Sequence, residues 1–315
     1  MPEAISTAVG PGRTLPGGSA TRPVVEGNEQ RWLFCGASLE IVSWRCLTMS
    51  KQLTPERQLP WNEVTFAHTG CFRLHAGDRT HLIDGASVAL LHAGIPFRTS
   101  HPVGCGDVGS SIVVHPDLLR SLIADEGRER LPCREVSVPC GSRRLLRQRQ
   151  LVRVLGRGLP VEPLQIEEEA LAIVGQLLRS GSVPGAGRRP DRSLSREAAA
   201  TAETAREYVA SRYTDPLRLQ QIAAACEVSV FRLCRVFLAA TSMTVHRYVS
   251  RLRLAASLER LADGERDLTA LALDLGFSSH SHFSWAFRRE FGLSPSAWRC
   301  LGGGARTARS RQCAR

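Results

Sequence analysis

The chain has 315 residues, 43% of them hydrophobic, with 41 Lys and Arg against 30 Asp and Glu for a formal net charge of +11. That length allows two domains with packed cores, and the basic balance suits a polyanionic partner. No apolar run approaches the roughly eighteen residues of a membrane span, and the ten cysteines form no CxxC pair, so neither a spanning helix nor a disulfide framework is expected. Residues 1–30 are rich in Gly, Pro, Ser and Thr. They read as disordered, and as neither a secretion signal nor an anchor, which places the chain in the cytoplasm.

Residues 31 to about 138 read as β-rich. Runs at 37–46, 64–74, 79–83, 87–91 and 110–114 carry β-branched or alternating apolar residues, punctuated by Gly70, Gly77, Gly85, Gly94 and Gly104. Many short strands at regular spacing predict a sandwich or a small barrel. Two amphipathic helices follow. Residues 143–155 place Leu145, Leu146, Val152 and Leu155 among five arginines, and 163–179 carry a longer apolar stripe with Glu167, Glu168 and Glu169 near the start, where negative charge suits the helix dipole. Residues 180–192, with their Gly, Pro and Arg, read as a flexible linker.

The last hundred residues hold two helix-turn-helix units. In the first, a short helix from Leu219 leads to Val228, and Ser229 opens a second helix through Leu233 and Phe237. In the other, an apolar-periodic helix from Leu268 ends at Gly276, which can adopt the left-handed conformation of a tight turn. Ser278 or Ser279 then caps a helix whose buried stripe is Phe283 and Phe287. Leu233 and Phe237 match Phe283 and Phe287 at an offset of 50, whereas Ile222 and Ala223 match Leu271 and Ala272 at 49, so the second unit has one extra residue at its turn. This self-similarity is stronger evidence than either unit alone. A short helix, a turn and a capped second helix with a polar outer face can present side chains to a major groove.

These residues resemble the AraC/XylS family of bacterial transcription regulators. The matching positions are Ile222-Ala223, Leu233, Arg235, Phe237, Tyr248, Arg251-Leu252-Arg253, Ala255-Ala256, Leu271-Ala272, Asp274 to Phe277, Ser281, Phe283, Phe287-Arg288, Phe291-Gly292, Ser294-Pro295 and Arg299. The resemblance implies two helix-turn-helix lobes joined by a long helix, near 245–263, with the recognition helices in successive major grooves of double-stranded DNA. Carried over by position, the DNA-binding set is Ser229, Phe231, Cys234 and Arg235 in the first unit, and Ser279, His280, Ser281, Ser284, Trp285 and Arg288 in the second. Arg235 suits guanine, whose O6 and N7 accept both arms of a guanidinium; a phosphate contact or a helix-face ion pair is the alternative. The sequence departs from the family at Trp285, where Arg is usual, at Cys234, and at Ser242, where Gly is usual and the chain could turn differently.

The segment 85–98, running through His92, Gly94 and Pro96 to Arg98, resembles part of a cupin barrel, the sensor attached to many regulators of this family. The expected fold class is therefore α+β and multidomain. It comprises a cupin-like β-barrel with dimerisation helices over 31–180, a linker over 181–199, an all-α DNA-binding domain over 200–300 with helix-turn-helix units near 219–240 and 268–291, and a basic tail over 301–315. The resemblance implies a small organic effector, a homodimer, contact with RNA polymerase and activation of transcription. The polar residues chosen for the effector pocket are Arg73, His75, His92 and Arg98. No catalytic residue, metal or cofactor is expected, because the histidines of the β-rich region, His68, His75, His81, His92 and His101, are scattered without a His-x-His pair. A cupin-type metal enzyme and a DNA binder without sequence preference remain the rival readings.

Overall fold

The computed structural model of the protein describes residues 28–47, 51–77, 79–102, 106–125, 136–180 and 195–301. Most of the expected N-terminal disorder, most of the linker and the 302–315 tail fall outside those residues. Alternating apolar residues in the first half produce β1 (Asn28–Cys35), β2 (Leu39–Cys46), β3 (Asn62–Thr69), β4 (Phe72–Ala76), β5 (Arg79–Ile83), β6 (Ser87–Leu91), β7 (Arg98–Ser100), β8 (Asp107–Val114) and β9 (Ser137–Pro139). The expected strand over 64–74 is two strands. Gly70 takes φ +76°, and its Cα hydrogen faces Asp107 so closely that a Cβ would lie 2.2 Å from that carboxylate. The chain reverses there and passes from one sheet to the other.

All the strand pairings are antiparallel. They form a six-stranded sheet in the order β1-β2-β8-β3-β6-β9 and a three-stranded sheet in the order β5-β4-β7. Apart from the exposed edge strand β1, the larger sheet is mostly buried on both faces, so its inner strands carry apolar residues at consecutive positions rather than only at alternate ones. On β2, Leu39 and Ile41 join a core formed with helices, whereas Val42, Trp44 and Cys46 face the interior between the sheets. The helical cover consists of α1 (Pro116–Asp125), α2 (Ser142–Gly156) and α3 (Pro163–Ser180). Ile166, Ala170, Ile173, Val174 and Leu177 of α3 are buried in that core. The apolar stripe of α3 is thus used within the intramolecular core.

The second half is helical, with α4 (Arg196–Ala210), α5 (Leu219–Ala225), α6 (Val230–Thr241), α7 (Val245–Ala262), α8 (Leu268–Asp274), α9 (His280–Phe291) and α10 (Pro295–Cys300). Helix α4 starts within the expected linker. Its N-cap Ser195 accepts a hydrogen bond from the Ala198 amide, and Ser229, Thr244, Ser279 and Ser294 cap α6, α7, α9 and α10 in the same way. The central helix α7 buries Tyr248, Leu252, Leu254, Ala255, Leu258 and Leu261 between the two lobes and the sheets.

Polar contacts lock the helical half onto the sheet half. Asp84, 1% exposed, accepts from the Arg206 guanidinium at 2.9 Å and from the Tyr248 hydroxyl. Burial, with the neighbouring Asp84 charge, raises the Tyr248 hydroxyl pKa well above its usual value, so it stays a donor. Helix α2 and its C-cap supply arginines at 149, 153 and 157, four residues apart. Arg149 donates to the Ala67 carbonyl and lies 3.3 Å from Glu259 of α7. Arg153 donates to the Trp298 and Arg299 carbonyls, each at 2.7 Å, and Arg157 to the Ala262 carbonyl at 2.9 Å. Positive charge thereby meets the carbonyl ends of α10 and α7, where the helix dipole favours it.

Both helix-turn-helix turns need a left-handed residue. Gly276 provides it in the second lobe at φ +78°, and Glu227, 49 residues earlier, provides it in the first at φ 55°. Gly276 has no room for a side chain, since a Cβ would lie 2.5 Å from the Thr214 carbonyl oxygen. Glu227→Gly should raise stability by about 0.5–1 kcal/mol, because only the backbone preference changes. Gly276→Ala should lower it by about 1–3 kcal/mol through overpacking. Urea unfolding of both variants checks the pair; equal shifts would disprove the asymmetry. Arg153→Ala should cost about 1–3 kcal/mol by stranding the carbonyls of α10, read as a lower urea midpoint.

Candidate nucleic-acid interface

Helices α6 and α9 present corresponding faces. In α6 the stripe Leu233, Val236 and Phe237 is buried, leaving Phe231, Cys234 and Arg235 exposed one turn apart. In α9 the buried stripe is Phe283, Ala286, Phe287 and Phe291, leaving His280, Ser281, Trp285, Arg288 and Arg289 exposed. At the offset of 50, Phe231, Cys234 and Arg235 stand where Ser281, Ser284 and Trp285 stand. Phe231 is 77% exposed and Trp285 58%, an apolar load that a surface helix does not need for its own stability.

The expected DNA-facing residues divide by what they touch. Ser229 and Ser279 accept from the amides of Arg232 and His282, so each hydroxyl caps its own helix. His280 and Ser284 lie 3.2 Å apart on one face. An ion pair on α6 belongs to Arg232, with Glu197 at 2.6 Å, while Arg235 points outward. Arg289, absent from the sequence-derived set, stacks its guanidinium 4.4 Å from the Trp285 ring centroid. Its spacing of four from Trp285 could have flagged it, since such pairs meet on a helix.

The two lobes are tied together at the turn. Arg253 of α7 donates to the Tyr213 carbonyl at 2.5 Å, the Asp215 carbonyl at 2.9 Å and the Gly276 carbonyl at 2.6 Å. One side chain thus joins the connection before α5 to the turn before α9. Trp298 of α10, 1% exposed, donates its indole N–H to the Leu258 carbonyl and anchors the second lobe to α7. Ser242 takes φ 58°, the same hand as Gly292 at φ 80° fifty residues on. The chain therefore leaves α6 as it leaves α9, despite the missing glycine.

A cavity of ≈ 150 Å³ lies between the sheets, and Trp32, Trp44, Trp61, Phe72, Leu74 and Phe97 give it a mainly apolar lining. Arg57, Glu63, Thr99, His101 and Cys46 add polar groups. None of Arg73, His75, His92 and Arg98 lines it. The phase of the strands explains three of them. On β4, Phe72 and Leu74 point inward, so Arg73 and His75 point outward; Phe97 and Thr99 likewise leave Arg98 outside. Arg73 pairs with Glu207 of α4. His75 lies 2.9 Å from the Ser100 hydroxyl and 3.0 Å from that of Thr80. Arg98 is 3.6 Å from Glu56, and His92 sits half-buried in the turn after β6.

Residues 222–300 match the model of a helix-turn-helix domain family. Over 97 residues the chain is 33% identical to the regulatory protein SoxS of Salmonella typhimurium, a match spanning 31% of this chain and 91% of SoxS. It is 36% identical over 83 residues to the transcriptional activator RhaS of Escherichia coli, covering 26% of this chain but only 30% of RhaS. Among solved structures, ToxT of Vibrio cholerae aligns over 84% of this chain and 98% of its own, at 14% identity and a TM-score of 0.33. With the two capped recognition helices and their shared register, the close coverage of SoxS places this chain in the AraC/XylS family of DNA-binding transcription regulators.

Proposed function

We propose that the protein is an effector-responsive activator that reads two successive major grooves, one with α6 and one with α9. The observation that carries this reading is the common register of the two outward faces, which would offer DNA two equivalent but chemically different readers. In the first, Arg235 would bond guanine bidentately and Phe231 would pack on a thymine methyl. In the second, Trp285 would supply apolar contact, with His280, Ser281 and Ser284 as polar readers and Arg288 and Arg289 on phosphate. Ser229 and Ser279 would hold the helix starts in place. In this reading 31–180 is a cupin-like barrel formed by the two sheets, 200–300 is the reader, and a cytoplasmic homodimer engages RNA polymerase.

We place the effector in the cavity between the sheets. A mainly apolar lining with a few convergent polar groups is what a small-molecule site requires. An effector there would sit against Cys46 and His101, close to the ends of β2 and β8, while the outer face of the same sheet touches α7 through Arg149 and Glu259.

The DNA reading is tested by footprinting the full chain on its own upstream region with and without competitor DNA; specific sites should bind about a thousandfold or more tighter than competitor. Arg235→Ala should weaken the preferred site by about 1–3 kcal/mol and relax the choice at one base pair. Equal weakening on random DNA would assign it to phosphate instead. Trp285→Arg should bind more tightly overall and steepen the salt dependence by roughly one counterion. An unchanged slope in a salt titration would remove residue 285 from the interface.

A further inference from the structure

The cavity holds a constellation that recognition of a passive effector does not need. Cys46, at the end of β2, lies with its Sγ 3.4 Å from His101 Nε2. His101 Nδ1 lies 2.5 Å from Asp107 Oδ2, at the start of β8. All three are buried, at 6%, 5% and 0% exposure. A thiol, an imidazole and a carboxylate in line are the parts of an activated nucleophile: one ring nitrogen addresses the sulfur and the other is oriented by the acid. The side chains arrive from three separated positions, and sequence spacing does not reveal them.

Two basic side chains, His101 and Arg57, face the Cys46 sulfur. The hydrogen bond to Asp107, with help from that to Cys46, raises the His101 pKa to about 9, so the ring is an imidazolium at neutral pH. Arg57 lines the same cavity and feels the charge of Cys46. Asp107 and Glu63 are the acids facing this group. A cation against a sulfur stabilises its anionic, nucleophilic form. The walls select what reaches it, since Trp44, Phe72 and Phe97 admit an apolar body more readily than a charged one.

We propose that Cys46, His101 and Asp107 make this cavity a covalent site that captures a small apolar α,β-unsaturated carbonyl compound by conjugate addition. The Cys46 sulfur forms a bond to the β-carbon, and the C=C π bond breaks. Its electrons pass through the enolate, and the proton held by His101 goes to the α-carbon. Nothing leaves, no oxidant is consumed, and His101 ends neutral beside a thioether. Addition needs only a nucleophile and a proton donor, both of which are present. The proposal rests on the cavity being the effector site, and makes the effector an electrophile.

The test uses the full chain and phenyl vinyl ketone at limiting amounts, with each cysteine followed by peptide mass spectrometry. Buried Cys46 should be alkylated at least about tenfold faster than exposed Cys234 and Cys300, as expected of thiolate control over reactivity. Propiophenone, the saturated analogue without an electrophilic carbon, should slow Cys46 and leave Cys234 unchanged. His101→Gln should slow Cys46 by about tenfold or more without altering Cys234. Alkylation of Cys46 no faster than of Cys234 in the unmutated protein, or no protection by propiophenone, overturns the proposal without recourse to any variant. A folded His101→Gln protein with an unchanged Cys46 rate does the same. A promoter footprint and transcription assay on the same samples separate the two levels: alkylation without a regulatory change supports the covalent site and removes the effector reading. Regulation by phenyl vinyl ketone that survives Cys46→Ser removes the covalent proposal and keeps the effector reading.

Discussion

Two reading heads on one rigid body are useful only if their separation is fixed, and Arg253 does much of that fixing. Its guanidinium satisfies three backbone carbonyls, two from the connection before the first unit and one from the turn of the second. A planar fork with five donors can hold three carbonyls at once, which an ammonium on a flexible stem does less well. Helix α7 supplies the length between the lobes, and Arg253 sets how each meets it. The absence of any side chain at Gly276 belongs to the same constraint, because the Arg253 guanidinium occupies the space a Cβ would take.

The sheet half engages this body at several places. Asp84 grips α4 and α7 together through Arg206 and Tyr248, and α2 reaches the ends of α7 and α10 through its arginine face. Contacts therefore fall on both lobes and on the helix between them. Glu259 of α7 also lies 3.3 Å from His68, whose other nitrogen is 2.9 Å from the Ser110 hydroxyl on β8. Strand β8 begins at Asp107, so one strand carries both the carboxylate that orients His101 and a residue adjoining the α7 contact. That is a physical connection between the cavity and α7.

How much of this was legible beforehand depended on the range of the interactions involved. The helix-turn-helix units rest on local signals: caps at Ser229 and Ser279, a left-handed turn at Gly276 and phenylalanines four apart. Strands at 79–83 and 87–91 were readable for the same reason. The edge strand β1 and the short strands β7 and β9 were not, because their pairing partners, not their own pattern, make them strands. The proposed pocket residues went astray through phase. On β4 and β7 the apolar neighbours Phe72, Leu74 and Phe97 take the inward phase, so Arg73, His75 and Arg98 point away from this cavity. Cys46, His101 and Asp107 meet only because antiparallel β2 and β8 bring Cys46 opposite Asp107, a long-range fact with no local signature. The arginine stripe of α2 was visible as composition, but its targets are helix ends more than a hundred residues away.

In the proposed reading, the shared register of α6 and α9 makes the two readers interchangeable parts. Each has the same capped start, the same left-handed exit and the same buried stripe, so the outward residues at 231, 234 and 235 can be exchanged for those at 281, 284 and 285 without disturbing what each helix packs against. A chain carrying the second set twice would have two identical readers on one scaffold. Its preferred operator would become a tandem direct repeat. In the proposed reading the architecture separates the vocabulary of recognition from its grammar: the exposed triplets would supply the words, and the spacing held by α7 and Arg253 the syntax.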